Sequence, residues 1–210
     1  MPDDRRATTL IDHLALREVI GAPMPLAANK EMPYLDQHCR QFISLSPFLC
    51  LGTMGAEGKA DVSPRGDAPG FVKVLGDRTL LIPDRPGNRR VDSMSNILAN
   101  PAVGLLFLVP GFEETLRVNG RASIISDLEL LREMAVDGKV PQLAIKIAID
   151  EVFFHCGKAL KRSRLWDPGS WIDRKSFPSY GRIMRDQRKT DLTVEELEQF
   201  VDNDYKTRLY

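Results

Sequence analysis

The sequence predicts a mainly β chain of the α+β class: a small antiparallel β-barrel with peripheral helices, forming one domain over 1–210. Three observations predict it. Six or seven short segments with strand texture crowd the middle of the chain. Short turns join several of them, which pairs neighbours in the antiparallel sense. Helical periodicity is confined to stretches between and around these segments, without the strict β-α-β-α alternation of a doubly wound sheet.

Residues 8–20 open the chain as a helix, with Leu10, Leu14 and Leu16 near helical spacing, and Gly21-Ala22-Pro23-Met24-Pro25 breaks it. A second helix is predicted over 31–45, so 1–45 reads as a helical extension. Strand texture then begins. Phe48–Thr53 is apolar and meets the turn Gly55-Ala56-Glu57-Gly58; Ala60–Pro64, Phe71–Leu75 and Thr79–Ile82 are further short strands. A helix is predicted over 89–98, ended by Asn100-Pro101. Val103–Val109 is a fully apolar strand, and Thr115–Ile125 is a long one with Gly120 inside it, a bulge or close-approach point. Ser126-Asp127 caps a helix running to Val136, with Gly138 beyond its end. From Leu143 to Phe154 the pattern alternates: Ile145, Ile147 and Ile149 point one way, Lys146 and Ala148 the other. Thr193-Val194-Glu195-Glu196 is a capping box that starts a helix over 194–204, within a helical tail at 186–210.

Composition sets outer limits. The 29 Lys+Arg balance 29 Asp+Glu, a formal net charge of 0, which argues against a general polyanion binder. At 43% hydrophobic residues the chain can build a sizeable core. The longest apolar run, Val103–Val109, falls far short of the roughly 20 residues that a membrane span needs. Cys39, Cys50 and Cys156 are an odd count at wide spacing, and no export signal is visible; both fit a cytoplasmic protein. The neutral total is uneven. Ten basic residues lie between Lys158 and Lys189 against Asp167, Asp173 and Asp186, and an acidic stretch from Asp191 to Asp204 follows. Two readings fit: solvated faces that pair with each other, or a basic block of which part meets a small anion.

Several familiar sites are absent. No G-x-G-x-x-G, P-loop, H-E-x-x-H, C-x-x-C or G-x-S-x-G is present. His155-Cys156 falls on opposite faces of a strand, where packing or hydrogen bonding competes with metal ligation, so no metal site is assigned. Two segments are denser in chemistry. Asp61-Val62-Ser63-Pro64-Arg65-Gly66-Asp67-Ala68-Pro69-Gly70 leaves a strand; an ordinary hairpin loop explains its glycines and prolines better than it explains Ser63, Arg65 and Asp67 together. Ile82-Pro83-Asp84-Arg85-Pro86-Gly87-Asn88-Arg89-Arg90 joins a strand to a helix. Asn88 can cap that helix, which puts Arg89 and Arg90 in its first turn. Cations there oppose the helix dipole, and a bound anion would reverse the sign. Phosphate binding and solvated arginines both remain open on these residues alone.

These two segments, with Glu114-Thr115-Leu116-Arg117-Val118-Asn119-Gly120 and Phe154–Pro168, resemble the pyridoxamine 5'-phosphate oxidase-related flavoproteins, within them a bacterial subgroup of FMN-binding proteins, over about residues 30–185. The resemblance implies the FMN-binding split β-barrel, an FMN-dependent oxidoreductase acting on a small substrate, and a homodimer with FMN at the subunit interface. By that analogy Asn88, Arg89 and Arg90 hold the phosphate. Ser63, Pro64 and Arg65 lie along the isoalloxazine edge, with Asp67 in the same segment and Ile82 and Pro83 flanking the flavin. Lys158, Ser163 and Trp166 come from the partner chain, and Arg117 faces the interface. Two departures separate the sequence from the oxidase. Its phosphate segment is longer, and it has an acidic helix in place of the arginine-histidine substrate segment, which counts against pyridoxamine phosphate as substrate. A non-catalytic flavin store or sensor, and a split barrel carrying a deazaflavin or haem, are the alternatives.

Overall fold

The alternating segments become strands β1 (Phe48–Met54), β2 (Ala60–Gly66), β3 (Lys73–Val74), β4 (Thr79–Pro83), β5 (Ala102–Leu108), β6 (Thr115–Ile125) and β7 (Ala144–His155). In a computed structural model, which describes residues 12–188 and 190–210, they form one antiparallel sheet of order β2-β1-β5-β6-β7-β4-β3. Residues 8–11 of the first predicted helix, and Lys189, lie outside the described residues.

The sheet closes on itself. Arg65 at the free edge of β2 aligns through Leu49, Phe107 and Leu116 with Phe154 on β7. Its side chain nevertheless pairs with Asp84, which follows Pro83 of β4, and Pro83 pairs with Ala144. Phe154 and Ala144 are ten positions apart on β7. That offset is the register stagger a sheet needs to close into a tilted barrel. Inward residues of five strands therefore share one core: Leu49 and Leu51, Leu80 and Ile82, Leu105 and Phe107, Leu116 and Val118, Ile145 and Ile147. The architecture is the split β-barrel that the sequence predicts.

The chain divides into two units at Glu31/Met32. In the first, Asp12 caps α1 (His13–Ile20) by accepting the Ala15 N–H at 2.8 Å, and a 3-10 turn follows at Pro25–Ala27. The second unit, Met32–Tyr210, carries the sheet. There α2 (Gln37–Leu45) starts later than periodicity suggests, for two reasons. Met32 exchanges backbone hydrogen bonds with Val152 (3.0 and 2.8 Å), and Asp36 caps the helix at the Cys39 N–H. α2 sends Cys39, Phe42 and Ile43 into the core, and burial pushes the Cys39 thiol up to about 12, leaving it a packing group. β3 keeps two residues of the predicted Phe71–Leu75 strand, because Phe71 closes a turn back to Ala68.

The remaining helices are α3 (Asp92–Ala99), α4 (Leu128–Arg132), α5 (Lys158–Ser163), α6 (Tyr180–Arg188) and α7 (Val194–Thr207). Asp127 caps α4 as anticipated, but the helix ends at Arg132, and the chain turns through Asp137 and Gly138, both at positive φ. α4 covers a second core of Leu81, Leu131, Met134 and Ala144. The capping box of α7 is complete: Glu196 N–H donates to Thr193 Oγ1 (3.1 Å) and Thr193 N–H to Glu196 Oε2 (2.8 Å). Thr193→Ala is expected to lower unfolding stability by about 1 kcal/mol, measured as a shift of the urea midpoint at unchanged slope.

Candidate functional site

Alternation on β2 turns Asp61, Ser63 and Arg65 toward the inside and leaves Val62, Pro64 and Gly66 exposed. After Pro83 the chain passes along this inner edge and is tied to it three times. Arg65 Nη1 donates to Asp84 Oδ1 (3.1 Å), Arg85 Nε to Asp67 Oδ2 (2.6 Å), and Ser93 Oγ to Asp61 Oδ2 (3.3 Å). Residues 86–92 therefore arch between a tie at Arg85 and a tie at Ser93, whose partners Asp67 and Asp61 lie on either side of Ser63 and Arg65 in the sequence. The two segments singled out in the sequence meet along one seam, where the barrel closes.

Within the arch, Asn88 does not cap α3. Its Oδ1 accepts the Arg90 N–H (3.0 Å), and Arg89 and Val91 take positive φ of 60° and 54°. The helix begins at Asp92 with Val91 as its N-cap, and no side chain caps it. Arg89 and Arg90 thus lie in the loop before α3 rather than in its first turn. Asp92 holds the first turn, where its charge favours the dipole, and binds Arg90 Nε (2.7 Å). The result is two exposed guanidinium groups beside a helix start whose amides have no side-chain acceptor.

The seam's charges are perturbed in opposite senses. Burial raises the Asp84 carboxyl above its ordinary value, and Arg65 opposes that. Burial also pushes Asp67 up, but hydrogen bonds from Tyr210, Ala68 and Arg85 bring it net below its ordinary value. Arg65 Nε is buried and has no hydrogen-bond partner. A guanidinium donor shielded from water and unpaired is costly, and an acceptor on a ligand would satisfy it.

The other predicted residues fall elsewhere. Ile82 and Pro83 are buried, Ile82 within the main core, so they support the seam from behind. Pro64 lies on the outer face of the sheet, in one register row with Cys50, Leu106, Arg117 and Phe153. Arg117 is exposed there, its guanidinium 5.1 Å from the centre of the Phe153 ring. Lys158 and Ser163 belong to α5, and Ser163 Oγ donates to Leu160 O in its own helix (3.1 Å). Trp166 donates its indole N–H to Phe112 O (2.7 Å). It flanks an open cleft of about 330 Å³ with Glu113, Leu160, Lys161 and Arg164. Arg117, Lys158, Ser163 and Trp166 take no part in the seam's contacts. Among the described residues the basic block's ion pairs are Lys161 with Glu113, Arg164 with Asp167 and Arg182 with Asp186, none of them with the acidic α7.

Sequence reasoning passed over Asp84 and Arg85 as individual site residues, although Arg65-x-Asp67 facing Asp84-Arg85 was a readable charge pattern. Tyr210, whose hydroxyl donates to Asp67 Oδ1 at 2.6 Å, carried no signal, being 143 positions away. Among the described residues no group of three or more His, Cys, Asp and Glu could hold a metal, and no helix is long and apolar enough to cross a membrane.

No curated protein matches the chain. Solved structures resemble it more distantly. HupZ of Group A Streptococcus is 16% identical with a TM-score of 0.46, over 57% of this chain and 93% of that one. General Stress Protein 26 of Bacillus anthracis is 20% identical with a TM-score of 0.43, over 55% and 88%. An FMN-binding protein of Syntrophomonas wolfei is 11% identical with a TM-score of 0.42, over 55% and 86%. The family profile for pyridoxamine 5'-phosphate oxidase matches residues 35–156, which span α2 to the end of β7 and hold the whole seam except Tyr210. The chain belongs to the pyridoxamine 5'-phosphate oxidase family.

Proposed function

We propose that this protein binds FMN along the seam and works as an FMN-dependent oxidoreductase on a small substrate. The observation that carries the reading is the buried, unpartnered Arg65 Nε on the seam that also carries the arginine loop. The residues fit the cofactor at both ends. A phosphate dianion suits the two guanidinium groups of Arg89 and Arg90 and the uncapped amides at the start of α3. A planar ring with acceptor atoms suits Ser63 and Arg65 on the inner edge of β2, and the cation at Arg65 favours negative charge on that ring. Asp67 acts through Arg85, since its oxygens are already taken by Arg85, Tyr210 and Ala68. When bound, the flavin supplies the electron-accepting chemistry; the protein orients it and tunes it electrostatically.

A homodimer accompanies this reading. The outer sheet face exposes Phe48, Met54 and Val62, apolar groups suited to a subunit contact, and Lys158, Ser163 and Trp166 would complete the partner's site. Light scattering on the FMN-loaded protein is expected to give a dimer; a monomer that holds FMN tightly would remove the partner roles of these three residues.

The test of the cofactor is an absorbance spectrum of the purified protein, followed by reconstitution with FMN. Oxidised-flavin bands are expected, and their anaerobic bleaching by NAD(P)H would support turnover over storage. A colourless protein that takes up no FMN would sink the assignment, and bands of a deazaflavin or haem would replace it.

A further inference from the structure

Tyr210 makes the seam's least expected contacts. It lies beyond α7, outside the stretch that matches the family, yet it reaches the point where β2 meets the arginine loop. Its hydroxyl donates to Asp67 Oδ1 (2.6 Å), while Asp67 Oδ2 accepts from Arg85 Nε (2.6 Å). The Arg85 guanidinium also sits 5.5 Å from the centre of the Tyr210 ring, and Lys139 Nζ donates to the Tyr210 carbonyl (3.1 Å). The Asp67 side chain is only 2% exposed and that of Arg85 16%. A carboxylate so buried needs its hydrogen bonds filled, because water cannot supply them. Arg85 is one of the two ties between which residues 86–92 arch.

We propose that Tyr210 is a positioning residue that latches the arginine loop: by adding a second donor to Asp67 Oδ1, which also accepts the Ala68 N–H, and by covering Arg85, it holds the loop in the form that receives the FMN phosphate. The FMN part rests on the function proposed above; the latch does not. Binding and latching are then coupled, and each strengthens the other by the same factor.

Tyr210→Phe is the decisive variant, since it keeps the ring over Arg85 and removes one donor. Three readouts follow. Backbone amides of residues 84, 85 and 87–91 should exchange with solvent roughly tenfold faster than in wild type, the scale of one charge-assisted hydrogen bond. The FMN dissociation constant, read by flavin fluorescence, should rise by a similar factor while the melting temperature changes little. The Asp67 carboxyl, followed by NMR, should titrate at higher pH. In wild type it is held below its ordinary 3.8, so the tie it makes to Arg85 is present above that value and is lost as pH falls through the folded value. Removing the Tyr210 donor moves this loss upward in pH. The charged and titratable groups around the pair are Arg85, Lys139 and Asp137, with Lys73 and Glu133 lining a separate surface cleft next to Asp67 and Arg85.

Unchanged exchange at these amides overturns the latch, whatever FMN does. Faster exchange with unchanged FMN affinity overturns its role in binding. A wild-type protein that takes no FMN, with exchange still faster in Tyr210→Phe, sinks the cofactor reading and supports the latch.

Discussion

Replacing Arg89 and Arg90 together by alanine is expected to weaken FMN binding by roughly a hundredfold or more, the product of two lost charge-assisted contacts to a phosphate. The variant should fold normally. Arg90 is 71% exposed and its partner Asp92 is half exposed, so that ion pair adds little stability. Arg89 is exposed, and alanine at its φ of 60° is no more strained than arginine. The loss should therefore appear in affinity and leave the unfolding midpoint nearly unmoved. It should also flatten the salt dependence of binding, because two of the cations that attract the dianion are gone. Asn88 keeps the turn by accepting the Arg90 amide, which the substitution preserves. FMN affinity equal to wild type would refute the phosphate assignment for this loop, and the phosphate would then have to be sought elsewhere on the seam.

The contrast between what the sequence discloses and what it hides follows the range of the interactions. β6 was readable to the residue, Thr115–Ile125, because strand texture and the Ser126-Asp127 cap that follows it are local properties. The caps at Asp127 and Thr193 were equally local, each a side chain bonding amides two or three residues on. Where a distant partner decides, the reading failed. Met32 is drawn into the sheet by Val152 and shortens α2 from the front. α6 has few apolar residues, buries Gly181 and Met184, and crosses α7 where a Cβ on Gly181 would meet the Val194 carbonyl at 2.9 Å. The candidate site divides the same way. Ser63, Arg65 and the Asn88-Arg89-Arg90 turn stood out by residue type, whereas the cross-ties from Arg65 to Asp84 and from Asp67 to Arg85 and Tyr210 needed the barrel to close first. The first turn of α3 shows the cost of local reasoning: Asn88 is a good capping residue, but its side chain is spent inside the loop and the helix starts at Asp92.

Gly120→Ala is expected to destabilise the protein by about 3 kcal/mol or more, the range of an overpacked site that the backbone must absorb. Between Asn119 and Gly120 the β6–β7 register shifts: Asn119 faces Glu151 and Gly120 faces Ile149, so Asp150 is left without an opposite residue. This bulge brings the two backbones close at Gly120. A Cβ there would overlap the Ala148 carbonyl oxygen and would stand 3.1 Å from its carbon and 3.2 Å from Ile147 Cγ2. A carbonyl in a paired strand cannot swing aside as a side chain can, so β6 and β7 must part. Gly104→Ala is the control. A Cβ there meets Asn119 Oδ1, the end of a side chain, at 3.2 Å, and a rotation relieves it. Urea unfolding should show a large loss for Gly120→Ala and a small one for Gly104→Ala; similar values would remove close approach as the reason for the glycine. The damage should also travel. Ala148 pairs with Thr79 at the start of β4, and Pro83 at its other end delivers Asp84 and Arg85 to the seam. A displaced β7 therefore shifts both ties to β2, and Gly120→Ala should lose FMN affinity even at temperatures where it remains folded.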